Sequence, residues 1–73
     1  MGLKDSIKLR EAQLQKAEAA LRSAELSLAN AERLAAKGYL SKLELEAAKV
    51  SVDQKKAELN EARYNLKAIK PKE

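Results

Sequence analysis

The side chains with chemical capacity in this chain are 11 carboxylates, 15 lysines and arginines, two tyrosines and a scatter of hydroxyls and amides; Cys and His are absent. Thiol nucleophiles and imidazole acid–base chemistry are therefore excluded. So are disulfides and Cys/His zinc clusters. That leaves the carboxylates. Glu11, Glu18, Glu25 and Glu32 recur every seven residues, which sets them in one row along a helix. A catalytic carboxylate needs a cleft, burial or a specific partner to perturb it, and a solvated row offers none of these. The sequence therefore predicts no enzyme, no catalytic residue, no metal and no cofactor.

The densest set of specialised residues lies elsewhere, between Arg33 and Glu44. Gly38 suits the left-handed position just past a helix, where a side chain clashes. A Schellman ending at Gly38 places Tyr39 back on Leu34. Ser41 and Glu44 have the Ser-x-x-Glu spacing of a capping box that starts a second helix, and Leu40 with Leu45 occupy the two positions of a hydrophobic staple. Arg33, Leu34 and Ser41 are the candidate partner-contacting residues at this turn. Gly38, Tyr39, Leu40 and Glu44 are the residues that build it. Each candidate also has a purely structural role: Ser41 as N-cap, Leu34 as the last-turn residue under Tyr39, and Arg33 as a cation near a helix C-terminus.

The elements that position the turn follow from periodicity. Ile7, Leu14, Leu21 and Leu28 recur every seven residues, with Leu3, Arg10, Ala17, Ala24 and Ala31 in the companion row. These are the two seam rows of a heptad helix, and helix propensity is high throughout. Past the turn the pattern resumes with Leu45, Val52, Leu59 and Leu66, and with Ala48, Lys55, Ala62 and Ile69. Pro71 ends it, because Pro disfavours helical geometry at Lys70. The sequence thus predicts an all-α fold, a two-helix antiparallel coiled-coil hairpin with helices at about 4–37 and 42–69. A leucine-zipper dimer needs a continuous helix, which Gly38 and the caps interrupt.

Folding the chain at Gly38 pairs residues whose numbers sum to 76. Ala31 then meets Leu45, Leu28 meets Ala48, Ala24 meets Val52, Ala17 meets Leu59, Leu14 meets Ala62 and Ile7 meets Ile69. Large faces small in nearly every layer, which lets two helices approach without voids. Leu21 facing Lys55 and Leu66 facing Arg10 depart from the rule. Both cations are expected to lay their stems on the Leu and carry their heads to water. Leu9, Leu26, Leu43 and Val50 stay off the seam, and Leu26 and Val50 lie at neighbouring heights. The module is therefore expected to pack against other copies or a larger parent. A core in a chain this short rarely supplies more than ~3–5 kcal/mol.

Charge and hydropathy narrow the class further. The net charge is +4, split evenly on either side of Gly38, with no basic face beyond the terminal Lys-Pro-Lys-Glu. Nucleic-acid binding needs clustered cations or aromatic stacking platforms, and the chain has neither. No apolar run approaches the ~18 residues of a membrane span, and no signal peptide is expected. Met-Gly-Leu-Lys-Asp-Ser fits the loose myristoylation pattern, but Met1 and Gly2 are read as an initiator and a cloning residue. The Ala-rich stripe is too shallow for a helix lying in a membrane surface.

The turn reads Arg33-Leu34-Ala35-Ala36-Lys37-Gly38-Tyr39-Leu40-Ser41: Arg-Leu, six residues, then Ser. This resembles the hairpin tip of HlyD-type membrane fusion proteins, the periplasmic adaptors of tripartite efflux pumps and type I secretion systems. The flanks are also similar, with Leu-x-x-Ala-x-x-x-Leu-x-x-Ala-Glu-Arg-Leu before the tip and Ser-Lys-x-Glu-Leu-Glu-x-Ala after it. Ala62-Arg63-Tyr64-Asn65-Leu66 looks like the segment leading back into the family's lipoyl domain, although Lys67-Ala68-Ile69-Lys70-Pro71 departs from the usual re-entry. The resemblance implies a hairpin excised from a larger adaptor, spanning 1–73 and lacking that adaptor's other domains. It implies a periplasmic location, with anchorage to the inner membrane through absent parts of the parent. It implies a hexameric parent that joins an inner-membrane transporter to a TolC-type outer-membrane channel, with Arg33, Leu34 and Ser41 at the contact. No nucleic acid and no small-molecule substrate is expected on this module. The alternative is a generic antiparallel coiled-coil arm for oligomerisation or RNA contact in an unrelated protein. An RNA arm predicts basic residues along one flank, and the Glu row argues against that on one of the two.

Overall fold

A computed structural model describes residues 2–69. Two helices form, α1 over Leu3–Ala36 and α2 over Lys42–Ile69, and they pack against each other along their length as an antiparallel hairpin. The 34 residues of α1 span about 51 Å at ~1.5 Å per residue. The molecule is correspondingly a rod of 54 × 18 × 14 Å. The all-α hairpin predicted from the heptads is the fold observed. α1 begins and ends one residue earlier than predicted, because Lys37 is the capping residue rather than the last helical one.

The seam is the predicted one. Ala31, Val52 and Leu59 are buried, and Ile7, Arg10, Leu14, Ala17, Leu21, Ala24, Leu28, Leu45, Ala48, Lys55, Ala62 and Leu66 are half-buried. Surface hollows along the flanks report the register. One is lined by Ala20, Ala24 and Ser27 with Ala48, Ser51 and Lys55. Another joins Ala17 and Ala20 to Glu58 and Ala62, and a third sets Leu14 beside Arg63 and Leu66. In each, residues from the two helices lie level when their numbers sum to about 76. The Ile7–Ile69 layer, the Leu3 side chain and the Lys70-Pro71 terminus fall outside what the structure describes.

Only three residues are buried among those described, since a two-layer helix pair hides one stripe per helix and leaves the rest in water. Lys55 is half-buried, and its Nζ reaches the exposed Glu58 Oε1 at 3.4 Å, which carries the charge to the surface as the sequence predicts. Arg10 is likewise half-buried, lining the same hollow as Lys55, Glu58 and Glu61.

The two flanks differ. The row Glu11, Glu18, Glu25 and Glu32 lies beside the Ile7/Leu14/Leu21/Leu28 row. Across the seam on that side lie Arg63, Lys56, Lys49 and Lys42, each level with one glutamate. The other flank carries the uncharged Gln13, Ala20 and Ser27 against Ser51, Glu58 and Asn65, and the Lys55 hollows open there. Among the described residues the ion pairs within 4.0 Å are intrahelical, Glu46–Lys49 and Lys55–Glu58. No ion pair within 4.0 Å joins the facing acidic and basic rows among the described residues.

Candidate functional site: the hairpin tip

The tip is built by backbone hydrogen bonds that close α1. Gly38 N–H donates to the Ala35 carbonyl at 3.0 Å and Tyr39 N–H to the Leu34 carbonyl at 2.9 Å. These are the two bonds of a Schellman ending. Gly38 sits at φ +83°, and a Cβ placed there meets nothing within 4 Å. Gly is favoured here by backbone conformation alone, not by crowding.

Three residues on, Ser41 opens α2. Its Oγ accepts from Glu44 N–H at 3.1 Å, and its own N–H donates to Glu44 Oε1 at 3.1 Å. The Ser41 hydroxyl also donates to Glu44 Oε1 at 2.9 Å. Both halves of the predicted capping box are thus formed. The donations from the Ser41 backbone N–H and then from its hydroxyl hold the Glu44 carboxyl below the usual carboxylate range. Leu40 and Leu45, the staple positions, are both half-buried.

Tyr39 departs from expectation. Its backbone takes the predicted place, but its side chain is 75% exposed rather than laid over Leu34. The hairpin ends here, with no third element to press the ring against the last turn. Leu34 remains half-buried. Tyr39 is therefore an exposed aromatic group at the end of the rod, a property its role in the turn concealed. Leu43, in the first turn of α2, is 81% exposed.

Arg33 is exposed in the last turn of α1, where its charge complements the helix C-terminus. Its Nη2 donates to Asn30 Oδ1. Sequence reasoning passed over Asn30, although the i, i+3 spacing is the signal for such a pair. Ser41 is exposed, but its only proton is committed to Glu44, so toward a partner its hydroxyl is an acceptor. The structure brings Arg33, Leu34 and Ser41 to one end of the rod; among the described residues no hydrogen bond joins them to one another.

A helical hairpin is what the comparison with known families returns. The family model described as "RND MFP, alpha-helical hairpin domain" matches residues 7–70. The chain belongs to this family. No curated protein and no solved structure matches it. Membership identifies the module as the helical hairpin of an RND-type membrane fusion protein and sets aside the arm of an unrelated protein. These proteins are associated with the cell envelope, interact there with partner proteins, and have a hairpin domain that is in general non-catalytic. Among the described residues of this RND MFP hairpin, no helix is long and apolar enough to cross a membrane.

Proposed function

We propose that this hairpin belongs to a larger periplasmic adaptor and that its tip docks onto a TolC-type outer-membrane channel, completing an export path from an inner-membrane transporter. The observation that carries the reading is the tip. A doubly capped turn at the end of a 54 Å rod presents Arg33, Leu34 and Ser41 at the spacing found in such adaptors. Arg33 offers a fan of donors to carbonyls or carboxylates at the channel's helix turns. Leu34 contributes apolar surface, and Ser41 accepts one hydrogen bond. The exposed Tyr39 adds an aromatic anchor of the kind that dominates interface energetics.

In this reading the module performs no chemistry and binds no cofactor. The parent anchors it to the inner membrane, assembles as a hexamer and couples it to a transporter. The RND match favours efflux over type I protein secretion. The test is export by the full-length parent carrying Arg33→Ala or Ser41→Ala. Transport is expected to be lost at unchanged expression, and wild-type export by both variants overturns the tip assignment.

A further inference from the structure

Arg33 has no carboxylate on its own face of α1. Side chains on a helix meet at i±3 and i±4, and for Arg33 those places hold Ala29, Asn30, Ala36 and Lys37. Asn30 is the one acceptor-bearing side chain among them. Helical side chains lean toward the helix N-terminus, which carries the Arg33 guanidinium back over the preceding turn. There its Nη2 donates to Asn30 Oδ1. Both residues are exposed, and with Leu26 and Ala29 they line a shallow hollow on the outer side of α1.

The carboxylates near the tip are engaged elsewhere. Glu44 closes the capping box with Ser41, and Glu46 reaches Lys49 at 4.0 Å. Glu32 belongs to the acidic row, level with Lys42 across the seam. Among the described residues no ion pair within 4.0 Å includes Arg33 or Lys37. Lys37, the cap residue at φ −90° and ψ −2°, continues the near-helical course of the chain. The end of α1 therefore carries two exposed cations, one of them tied to a neutral amide.

A neutral tether has two physical effects. It restrains a long side chain before a partner arrives, so less rotamer freedom is lost on binding. It also leaves the charge uncompensated, since the amide oxygen takes one of the five N–H groups of the guanidinium. The remaining donors keep the planar fork that fits a carboxylate through two parallel hydrogen bonds. A carboxylate also neutralises the charge, which a carbonyl does not.

We infer that Asn30 is a positioning residue for Arg33, holding its guanidinium charged and uncompensated over the last turn of α1, and that the group received there is a carboxylate of the channel, with Lys37 beside it. The inference deepens the proposed function, on which its second half rests. It sets the ionic part of the contact on the side of α1 at the level of Asn30, one turn back from the end of the rod.

The first test uses this chain without a channel and follows the nitrogen NMR signals of the arginine guanidinium groups. Rotation about the Nε–Cζ bond of Arg33 is expected to be slower than that of Arg22, which is also exposed, and to reach the Arg22 rate in Asn30→Ala. Equal rates in the unaltered chain overturn the positioning role. The second test measures binding of the full-length parent to a purified TolC-type channel. Asn30→Ala is expected to weaken it about three- to tenfold at an unchanged melting temperature. In an Arg33→Ala background the same change is expected to add nothing, whereas an independent role of Asn30 would still show. Asn30→Asp supplies a carboxylate within the hairpin itself. It is expected to keep Arg33 slow, to weaken docking and to flatten its salt dependence. Wild-type affinity in Asn30→Asp overturns the carboxylate partner. Docking that needs Arg33 but not Asn30 removes this inference alone. Docking indifferent to Arg33→Ala removes the tip assignment and the carboxylate with it, while the Arg33 signal still decides the Asn30 contact.

Discussion

Two residues at the tip are replaceable only at a cost in backbone or capping energy, and neither touches a core. Gly38 at φ +83° has open space where a Cβ would go, so Gly38→Ala is expected to lose about 1–2 kcal/mol to left-handed strain alone. Gly38→Asn is expected to lose less, because Asn tolerates that region. Equal melting points for the two variants would contradict this. Ser41→Ala removes the N-cap and is expected to cost about 1 kcal/mol by chemical denaturation. The Glu44 carboxyl makes the same cap sensitive to pH. Its folded pKa lies below its unfolded one. Its contribution is therefore fully present above the unfolded value of about 4.3 and is lost as pH falls through the lower folded value. In Glu44→Gln that acid-side loss of stability is expected to shrink, and an unchanged pH profile would show that the box is not closed in solution. At this scale the sequence was legible wherever the partner is local. The caps, the staple and Gly38 all act within a few residues. Tyr39 was not legible, because whether a ring folds back depends on what lies beyond the hairpin end.

At the scale of the helices, the large-on-small seam makes a sharp distinction between alanines. Ala24 is half-buried opposite Val52, which is 5% exposed. Ala24→Leu is expected to destabilise by about 1–3 kcal/mol through overpacking. Ala19→Leu, at an exposed position of the same helix, is expected to stay within about 0.5 kcal/mol. Comparable losses in both would contradict the register. The facing rows Glu11/18/25/32 and Arg63/Lys56/Lys49/Lys42 predict that Glu25→Lys costs a few tenths of a kcal/mol, as exposed pairs typically do, and that added Lys49→Glu recovers it. The heptads made the described part of the seam legible, since period and chain reversal together fix which rows meet. The glutamate row was read from its spacing, whereas Lys42, Lys49, Lys56 and Arg63 recur every seven residues as well and correct the expectation of no basic face; that the two rows face each other emerges only when the helices are laid in register. Asn30 was missed for a different reason. One amide on a solvated face carries no pattern, and only the Arg33 rotamer reveals its use.

At the scale of the whole molecule, the hairpin is a rod with a thin seam, two unlike flanks and exposed apolar side chains on the outside of both helices. A chain of this size with three buried residues among those described has little stability in reserve, so association is expected to add to it. The melting temperature is therefore expected to rise over a roughly hundredfold increase in concentration. A constant value would mean that the hairpin is stable as a monomer. The family was legible from the tip spacing and its flanks. Leu26 and Val50 were legible as off-seam residues at neighbouring heights, and both are exposed. The tip assignment is tested most directly by site-specific crosslinking in the full-length parent, from Arg33→Cys to the periplasmic end of the outer-membrane channel. Leu9→Cys, an exposed position toward the other end of the 54 Å rod, serves as the control. A crosslink from Arg33→Cys and none from Leu9→Cys is the expected result; no crosslink from the tip, or equal crosslinking from both positions, would contradict docking through the tip.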